Sequence, residues 1–264
     1  MADGRKTVAF YLENAGTRYA IYIDKPKPSA GERSGEANGA ERRWIVVVGL
    51  DADDQFTELC KARAAVAKTQ ALPPLLLVGV GYGASYANPK NRRMRDYTPG
   101  PDAEAEGEDA GGADAFLRLL ETTLWAELGR RYPVDTRVRA IAGHSLGGLL
   151  ALHALFQEKP FFNRALVSAP SIWWGERRVL RTVAARQEKR GRRAAKLFVC
   201  IGLKDGKDML GDVGLLEVQL AARPVRGLEA TFARFPGRTH YSAIPASFRT
   251  GLVALFGEDE ADGA

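Results

Sequence analysis

The feature that most constrains this chain is a short apolar run that leads through a glycine-flanked serine into a Leu- and Ala-rich segment. The run covers residues 138–142, the serine is Ser145 within the sequence Gly-His-Ser-Leu-Gly, and the apolar segment covers residues 146–156. A serine on a sharp strand-to-helix turn needs small neighbours two positions away on each side, because the backbone passes close to itself there. The spacing therefore predicts a strand, a strained turn that exposes Ser145, and a helix whose first N–H, that of Leu146, can bind an oxyanion.

Short apolar runs alternate with segments of helical periodicity along most of the chain. The runs cover residues 44–48, 75–80, 138–142, 164–168, 197–201 and 231–235, and the helical segments cover 116–128, with Asp114 as a candidate N-cap, 146–156, 215–222 and 246–256. Runs that are apolar on both faces are typical of strands covered by helices on both sides. Residues 7–12 and 18–23 favour an antiparallel pair around a tight turn. The pattern predicts an α/β fold with a mostly parallel central sheet, helices on both faces and an N-terminal antiparallel strand pair.

Length and composition indicate one domain over residues 1–264, with loop-like segments at 28–43, 100–112 and 257–264. No run approaches the roughly 18 consecutive apolar residues that a membrane helix needs, and no signal-like apolar stretch is visible near residue 1. The two cysteines, Cys60 and Cys200, cannot form a disulfide framework. We expect a cytoplasmic protein.

The charge balance is basic, with 38 Lys and Arg against 32 Asp and Glu, a net charge of +6. Much of the excess is concentrated in residues 176–196. We interpret this segment as a solvated helix face and loop, with a docking surface for an acidic partner as the alternative. We expect neither a nucleic acid nor a membrane as a partner, and the oligomeric state is left open.

An activated serine needs a general base within hydrogen-bond reach, and the chain holds three histidines. His144 precedes the serine within the turn, where its side chain should project away from Ser145. His153 lies about two helical turns further on and is expected to pack. His240 lies in a glycine-containing loop between the run 231–235 and the last helical segment, so elimination favours His240 as the base.

Several longer motifs accompany the serine turn, namely RRMRDYTPG at 92–100, GGADAFLRLL at 111–120, SAPSIWWG at 168–175 and FPGRTHYSAIP at 235–245. With GHSLGG they resemble the α/β-hydrolase superfamily and, within it, the esterase D-like group that includes the enterochelin-type siderophore esterases. The likeness extends over about residues 7–256. It implies a serine–acid–histidine order along the chain and hydrolysis of an ester-like bond.

The acid of such a triad should follow the run 197–201. Asp205 aligns best with the position where the resembled family carries an acidic residue, and Asp208 is the alternative. A second oxyanion donor is expected in the loop after residues 44–48. Members of that family commonly have Asp-Gly where this chain has Asp51-Ala52, and the N–H of Ala52 is the candidate donor, since a backbone N–H needs no particular side chain.

Aromatic and basic residues supply candidate substrate contacts. Trp173 and Trp174 should stand near the mouth of the site, and we expect one to face the substrate and the other the core. Arg93 and Arg95, with Arg92, are placed to attract an anionic substrate. Pinning of the loop is the preferred role for Arg93 together with Asp96.

No motif predicts a metal site or a cofactor. The leading hypothesis is a serine esterase that cleaves a carboxylic ester or lactone through an acyl-enzyme, with a siderophore trilactone as one expected substrate. The alternatives are a general short-chain carboxylesterase or thioesterase, and an acyltransferase that uses the same triad. A non-catalytic binding protein is disfavoured because the serine and histidine are both in place.

Overall fold

Eight strands form one sheet in the computed structural model, which describes residues 7–26, 43–100, 109–189 and 191–257. The strands are β1 Val8–Asn14, β2 Thr17–Asp24, β3 Trp44–Gly49, β4 Leu75–Gly81, β5 Val134–His144, β6 Arg164–Ser168, β7 Ala195–Gly202 and β8 Leu228–Phe235. Their order across the sheet is β1-β2-β4-β3-β5-β6-β7-β8. The pairs β1–β2 and β2–β4 are antiparallel and all others are parallel. The predicted fold class is confirmed.

Helices cover both faces of this sheet. They are α1 Ala52–Val66, α2 Arg93–Tyr97, α3 Ala113–Leu119, α4 Trp125–Arg131, α5 Leu146–Phe156, α6 Trp174–Gln187, α7 Lys207–Ala222 and α8 Ile244–Phe256, with a π-helical turn Leu120–Leu124 joining α3 to α4. Buried side chains of α1 and α8, such as Phe56 and Phe248, form the core on one face. Side chains of the α3–α4 segment, α5, α6 and α7 form the core on the other. The inner strands β3, β4, β6 and β7 are buried on both faces over most of their length, which explains their apolar runs.

Helix α1 was not predicted, and helix α7 is longer than predicted. Helix α1 follows β3 directly, where the sequence predicts a loop, and α7 begins at Lys207, eight residues before the predicted start. The N-cap prediction for Asp114 is wrong, because α3 begins at Ala113 after Gly112. The Asp114 carboxylate instead contacts His153 Nε2 at 2.7 Å.

The Arg-rich segment 176–196 forms most of α6 and the start of β7, with residue 190 outside the described part. Several of its side chains bind within the fold. Arg177 Nε lies 2.6 Å from Asp212 Oδ1, and Arg181 donates to the carbonyls of Gly175 and Glu176. Some of these arginines therefore bind groups of the same chain, and a docking surface for an acidic partner stays a prediction.

The sheet brings the sequence motifs to one edge. The loops that follow β3, β5, β6, β7 and β8 all leave from the carboxyl ends of parallel strands, which is where open α/β sheets place their sites. Most of the three predicted loop segments, 28–43, 100–112 and 257–264, lies outside the described residues. Within the described ranges, no helix has the length and apolar character to cross a membrane.

Candidate active site

Ser145 occupies the strained turn that its flanking glycines predict. Its backbone has φ 59° and ψ −120°, a conformation that an L-residue adopts only when the surroundings enforce it. A Cβ on Gly143 would overlap the carbonyl group of Gly147, so the close approach excludes any side chain there. Helix α5 begins at Leu146, and the N–H of this first residue has no acceptor within the helix.

The hydroxyl of Ser145 lies next to a second serine. Ser145 Oγ and Ser171 Oγ are 3.3 Å apart, and the Ser171 N–H donates to the Ser145 carbonyl. Between the described residues Ser145 and His240 the structure shows no hydrogen bond. Such bonds are often long in a ligand-free enzyme and tighten when substrate binds. Sequence reasoning missed Ser171, although the residue lies within the SAPSIWWG motif.

His240 lies beside Asp205. His240 Nδ1 is 2.9 Å from Asp205 Oδ2, and Asp205 Oδ1 accepts the N–H of Gly206. The Asp205 carboxylate is 4% exposed, so little water competes for it. Asp208 lies exposed in the first turn of α7. Of the two candidate acids, the structure brings Asp205 to the histidine.

The loops that carry this pair are tied together by their backbones. The Lys204 N–H donates to the Arg238 carbonyl at 2.8 Å, and the Leu203 N–H donates to the Phe235 carbonyl at 3.0 Å. A Cβ on Gly202 would overlap the Arg238 carbonyl oxygen. Glycine at the end of β7 therefore permits the approach that sets Asp205 against His240.

A second histidine lies against the first. The rings of His144 and His240 have their centroids 4.3 Å apart, and His144 is 1% exposed. Burial lowers the pKa of His144 to about 3, and the nearby His240 and Arg93 contribute to that lowering. His144 Nδ1 lies 3.0 Å from Ser168 Oγ. The sequence predicts only that the His144 side chain projects away from Ser145, and nothing in its pattern indicates the contact with His240.

The loop after β3 lies beside the serine turn. A Cβ on Gly147 would lie 3.3 Å from Asp51 Oδ2. Asp51 has a left-handed backbone with φ 50° and ψ 44°, and α1 begins at the next residue, Ala52. The Asp51 N–H donates to the Tyr97 hydroxyl at 3.1 Å. The candidate N–H of Ala52 thus belongs to the first turn of a helix, where it has no intrahelical acceptor.

The side chain of Asp51 forms a buried ion pair with Arg93. Arg93 Nε and Nη2 lie 2.8 and 2.9 Å from the two carboxylate oxygens. Burial raises the pKa of Asp51, and Arg93 opposes that shift. The prediction that Arg93 pins the loop with Asp96 has the wrong partner. Arg95 holds Asp96 instead, at 2.7 Å, and also donates to the Tyr19 hydroxyl. The two arginines therefore have carboxylate partners, and their contact with a substrate stays a prediction.

The paired tryptophans separate as expected. Trp173 is 42% exposed, whereas Trp174 is 2% exposed and its Nε1 donates to the Gly100 carbonyl at 3.3 Å. The substrate contact predicted for Trp174 is corrected on this ground, because a ring within the core has no face to offer. Substrate contact by Trp173 stays a prediction.

Two exposed tyrosines lie near the same edge and were missed by sequence reasoning. Tyr241 is 61% exposed and meets His240 edge to face, with centroids 5.0 Å apart. Tyr86 is 37% exposed and lies with its ring centroid 5.4 Å from the Arg93 guanidinium. Neither belongs to an alternating or glycine-flanked pattern, and Tyr241 could have been found only through its position next to His240.

Comparison with known proteins gives concordant matches. The model of the family Esterase, described as "Putative esterase", matches residues 33–253. Ferri-bacillibactin esterase BesA of Bacillus subtilis is 28% identical over 253 residues, which cover 88% of this chain and 82% of that protein. Siderophore enterobactin esterase of Emericella nidulans is 33% identical over 181 residues, 63% of this chain and 58% of that protein. The crystal structure of the BES protein from Bacillus cereus superposes with a TM-score of 0.80 at 25% identity, covering 97% of this chain and 96% of that one.

Proposed function

This chain belongs to the Esterase family and is a carboxylic ester hydrolase of the α/β-hydrolase type, and on that premise we propose that Ser145, His240 and Asp205 carry out the hydrolysis. The observation that carries the proposal is the His240–Asp205 pair at 2.9 Å, with the His240 ring packed on the residue that precedes Ser145. His240 and Ser145 therefore lie close together at the carboxyl ends of the strands. Their order along the chain is serine, acid, histidine, as in this fold.

In the proposed mechanism, the N–H at Nδ1 of His240 donates a hydrogen bond to Asp205. This bond keeps the proton on Nδ1, so that Nε2 is unprotonated and can act as the base. Nε2 takes the proton of Ser145 as its Oγ attacks the ester carbonyl carbon. The tetrahedral intermediate collapses, the C–O bond to the alcohol breaks, and His240 returns the proton to the leaving alcohol. His240 then takes a proton from a water molecule as its oxygen attacks the acyl carbon. The bond from that carbon to Ser145 Oγ breaks, His240 returns the proton to Oγ, and the acid product leaves.

Two backbone N–H groups are proposed to hold the oxyanion. Leu146 opens α5 and Ala52 opens α1, so each presents an N–H at the positive end of a helix. Loss of one such donor costs about 3 kcal/mol of activation free energy in other serine hydrolases. The Asp51–Arg93 ion pair would fix the conformation from which the Ala52 N–H emerges.

For the substrate, we propose a bulky ester or lactone that carries aromatic or anionic groups, with a siderophore trilactone as the specific case. The relatives named above as siderophore esterases support this class. The exposed rings of Trp173, Tyr86 and Tyr241 support it independently, because aromatic faces can stack on planar substrate groups. A short-chain carboxylic ester or a thioester is the alternative, and acyl transfer to an alcohol would use the same residues.

The experiment is a panel of p-nitrophenyl esters of increasing chain length, measured beside a tri-catecholate lactone and an acyl thioester. We expect the highest kcat/KM for the lactone. Ser145→Ala should abolish turnover and labelling by a fluorophosphonate while the protein stays folded. Full activity in that variant, or labelling of another serine, would overturn the assignment of the nucleophile.

Trp173→Ala tests the substrate class. It should raise KM for the lactone by about tenfold more than for p-nitrophenyl acetate, since one stacked ring contributes on the order of 1 kcal/mol or somewhat more. Tyr11→Ala is the matched control, because Tyr11 is an exposed aromatic residue of β1 at the sheet edge. A preference for acetate or butyrate esters that Trp173→Ala leaves unchanged would favour a general carboxylesterase. Faster capture of the acyl group by an added alcohol than by water would indicate a transferase.

A further inference from the structure

His144 is a buried titratable group that the mechanism above does not use. Its ring contacts the His240 ring, and its Nδ1 contacts Ser168 Oγ. Ser168 is the last residue of β6, and its own hydroxyl lies 2.9 Å from Ser247 Oγ on α8. Ser247 Oγ lies 2.9 Å from the Ala243 carbonyl, which belongs to the segment that follows His240.

The directions of these hydrogen bonds fix the proton on His144. Each serine hydroxyl has one proton to donate. Ser247 gives its proton to the Ala243 carbonyl, so Ser168 must give its own to Ser247 Oγ. Ser168 Oγ therefore accepts from His144, and His144 carries its proton on Nδ1. His144 Nε2 has no hydrogen-bond partner among the described residues.

We propose that His144 is a positioning residue for His240: the His144 ring is the wall against which the His240 imidazole is held. The inference rests on the proposed role of His240 as the base. It assigns no proton transfer to His144.

The geometry explains why such a wall is needed. The hydrogen bond to Asp205 fixes one atom of the imidazole, Nδ1, but rotation about the side-chain bonds of His240 can still tilt the rest of the ring. The His144 ring blocks movement of the His240 ring on one side, and the edge-to-face contact with Tyr241 limits its movement on another. The wall must also be uncharged, because a cation at 4.3 Å would oppose the imidazolium that forms on His240 during the reaction. The lowered pKa of His144, which follows first from burial, keeps the ring neutral at neutral pH.

Two substitutions separate the ring from its hydrogen bond. His144→Phe keeps an aromatic ring against His240 and loses the bond to Ser168. His144→Asn keeps an amide donor near the position of Nδ1 and loses the outer half of the ring. The proposal predicts that kcat for p-nitrophenyl butyrate falls by about 10- to 100-fold in the Asn variant, the scale expected when a reacting group is misplaced by about 1 Å, with KM within twofold. The Phe variant should retain at least a third of kcat.

The matched control is His153→Asn. This histidine lies on helix α5, where it contacts Asp114 and not the site. It should leave kcat within twofold. Thermal unfolding of all three variants shows whether a fall in kcat comes from a misplaced His240 or from an unfolded protein. If His144→Asn does not fold, His144→Leu, which fills the space without a ring, takes its place with the same expectation.

Retention of kcat by the Asn variant, or an equal loss in the Asn and Phe variants, would overturn the inference. His240→Ala and Ser145→Ala, measured in the same assay, report on the proposed function itself. If either keeps full activity, the mechanism fails whatever His144 does. If both are inactive and His144→Asn is not impaired, only the positioning role fails.

Discussion

Replacing Asp205 by asparagine tests the acid of the proposed triad most directly. The introduced amide would still accept the Gly206 N–H through its oxygen, as Asp205 Oδ1 does at 2.8 Å. Its NH₂ group would then face His240 Nδ1, at the place of the carboxylate oxygen now 2.9 Å away. An NH₂ donor there stabilises the tautomer with the proton on Nε2, and that nitrogen can no longer accept the proton of Ser145. The carboxylate is 4% exposed, so water does not restore the lost acceptor.

The expected magnitude follows from this wrong tautomer. The same change in a serine-protease triad lowers kcat by about 10⁴. At about 1.4 kcal/mol per factor of ten, that corresponds to about 5.5 kcal/mol of activation free energy. The assay is steady-state hydrolysis of p-nitrophenyl butyrate, with the rate of fluorophosphonate labelling as a second measure of Ser145 reactivity. Thermal unfolding should show little change, because the shape of the side chain is kept.

Asp208→Asn is the control, since Asp208 lies exposed in the first turn of α7, only three residues away. It should change kcat by less than twofold. A larger loss in Asp208→Asn than in Asp205→Asn would move the acid to Asp208. Losses below tenfold in both would indicate that Ser145 and His240 work as a pair without a strong acid, and the tautomer argument would be refuted.

Two further predictions concern stability, measured as the free energy of unfolding in urea. Arg93→Ala should lower the free energy of unfolding by about 3–5 kcal/mol, because Asp51 would be left as a buried, unpaired charge. Arg92→Ala, the control, removes a solvent-exposed ion pair and should cost less than about 1 kcal/mol. Equal effects of the two substitutions would contradict the role given to the buried pair. Glu176→Gly should raise the free energy of unfolding by about 0.5–1 kcal/mol, because Glu176 has φ 53° and relief of a left-handed residue outweighs the added entropy of glycine. Ala185→Gly, the control on the regular part of the same helix, should lower the free energy of unfolding by about 1 kcal/mol. A loss of stability in both variants would contradict a left-handed backbone at Glu176.

The strands could be predicted from the sequence because burial on both faces leaves a direct mark. In β4 every residue of Leu75–Gly81 is buried, and such a run of apolar residues between turn signals has few other interpretations. The start of α1 left no such mark. Its N-cap, Asp51, makes no side-chain cap, and its first turn is acidic because Asp53 binds the Tyr22 hydroxyl and the Tyr82 N–H. Those contacts are tertiary, so a local pattern could not reveal them.

Helix α7 shows the same limit for a different reason. Its first half contains Gly211 and Gly214, which lower helix propensity by about 1 kcal/mol each relative to Ala. The apolar periodicity becomes clear only in the second half, and the predicted helix accordingly began at residue 215. Packing of buried side chains such as Val213 against the sheet overrides the weak local preference.

Within the site, the sequence reveals the reacting groups more readily than the contacts that hold them. The flanking glycines point to Ser145 as the proposed nucleophile, and elimination among three histidines points to His240 as the proposed base, because the chemistry restricts which residue types can serve. The partner of Arg93 could not be found in this way. Asp51 is 42 positions away. Asp96 in the same motif is an equally good candidate from the sequence alone, and the structure pairs it with Arg95 instead. Whether Trp173 or Trp174 faces outward likewise depends on packing that neighbouring letters do not specify.

Ser168 links the proposed nucleophile to the proposed base through two different groups. The backbone carbonyl of Ser168 accepts the N–H of Ser145 at 2.9 Å, and its side-chain hydroxyl accepts from His144, which in turn supports His240. The carbonyl contact is made by the backbone of β6 and uses no atom of the Ser168 side chain. The hydroxyl contact requires a side chain that can accept from His144 and donate to Ser247 at once. The backbone of β6 therefore holds the turn of the proposed nucleophile, and the Ser168 hydroxyl binds the ring that contacts the proposed base. The activity expected of His144→Phe implies that this ring matters more to the base than the bond to Ser168 does.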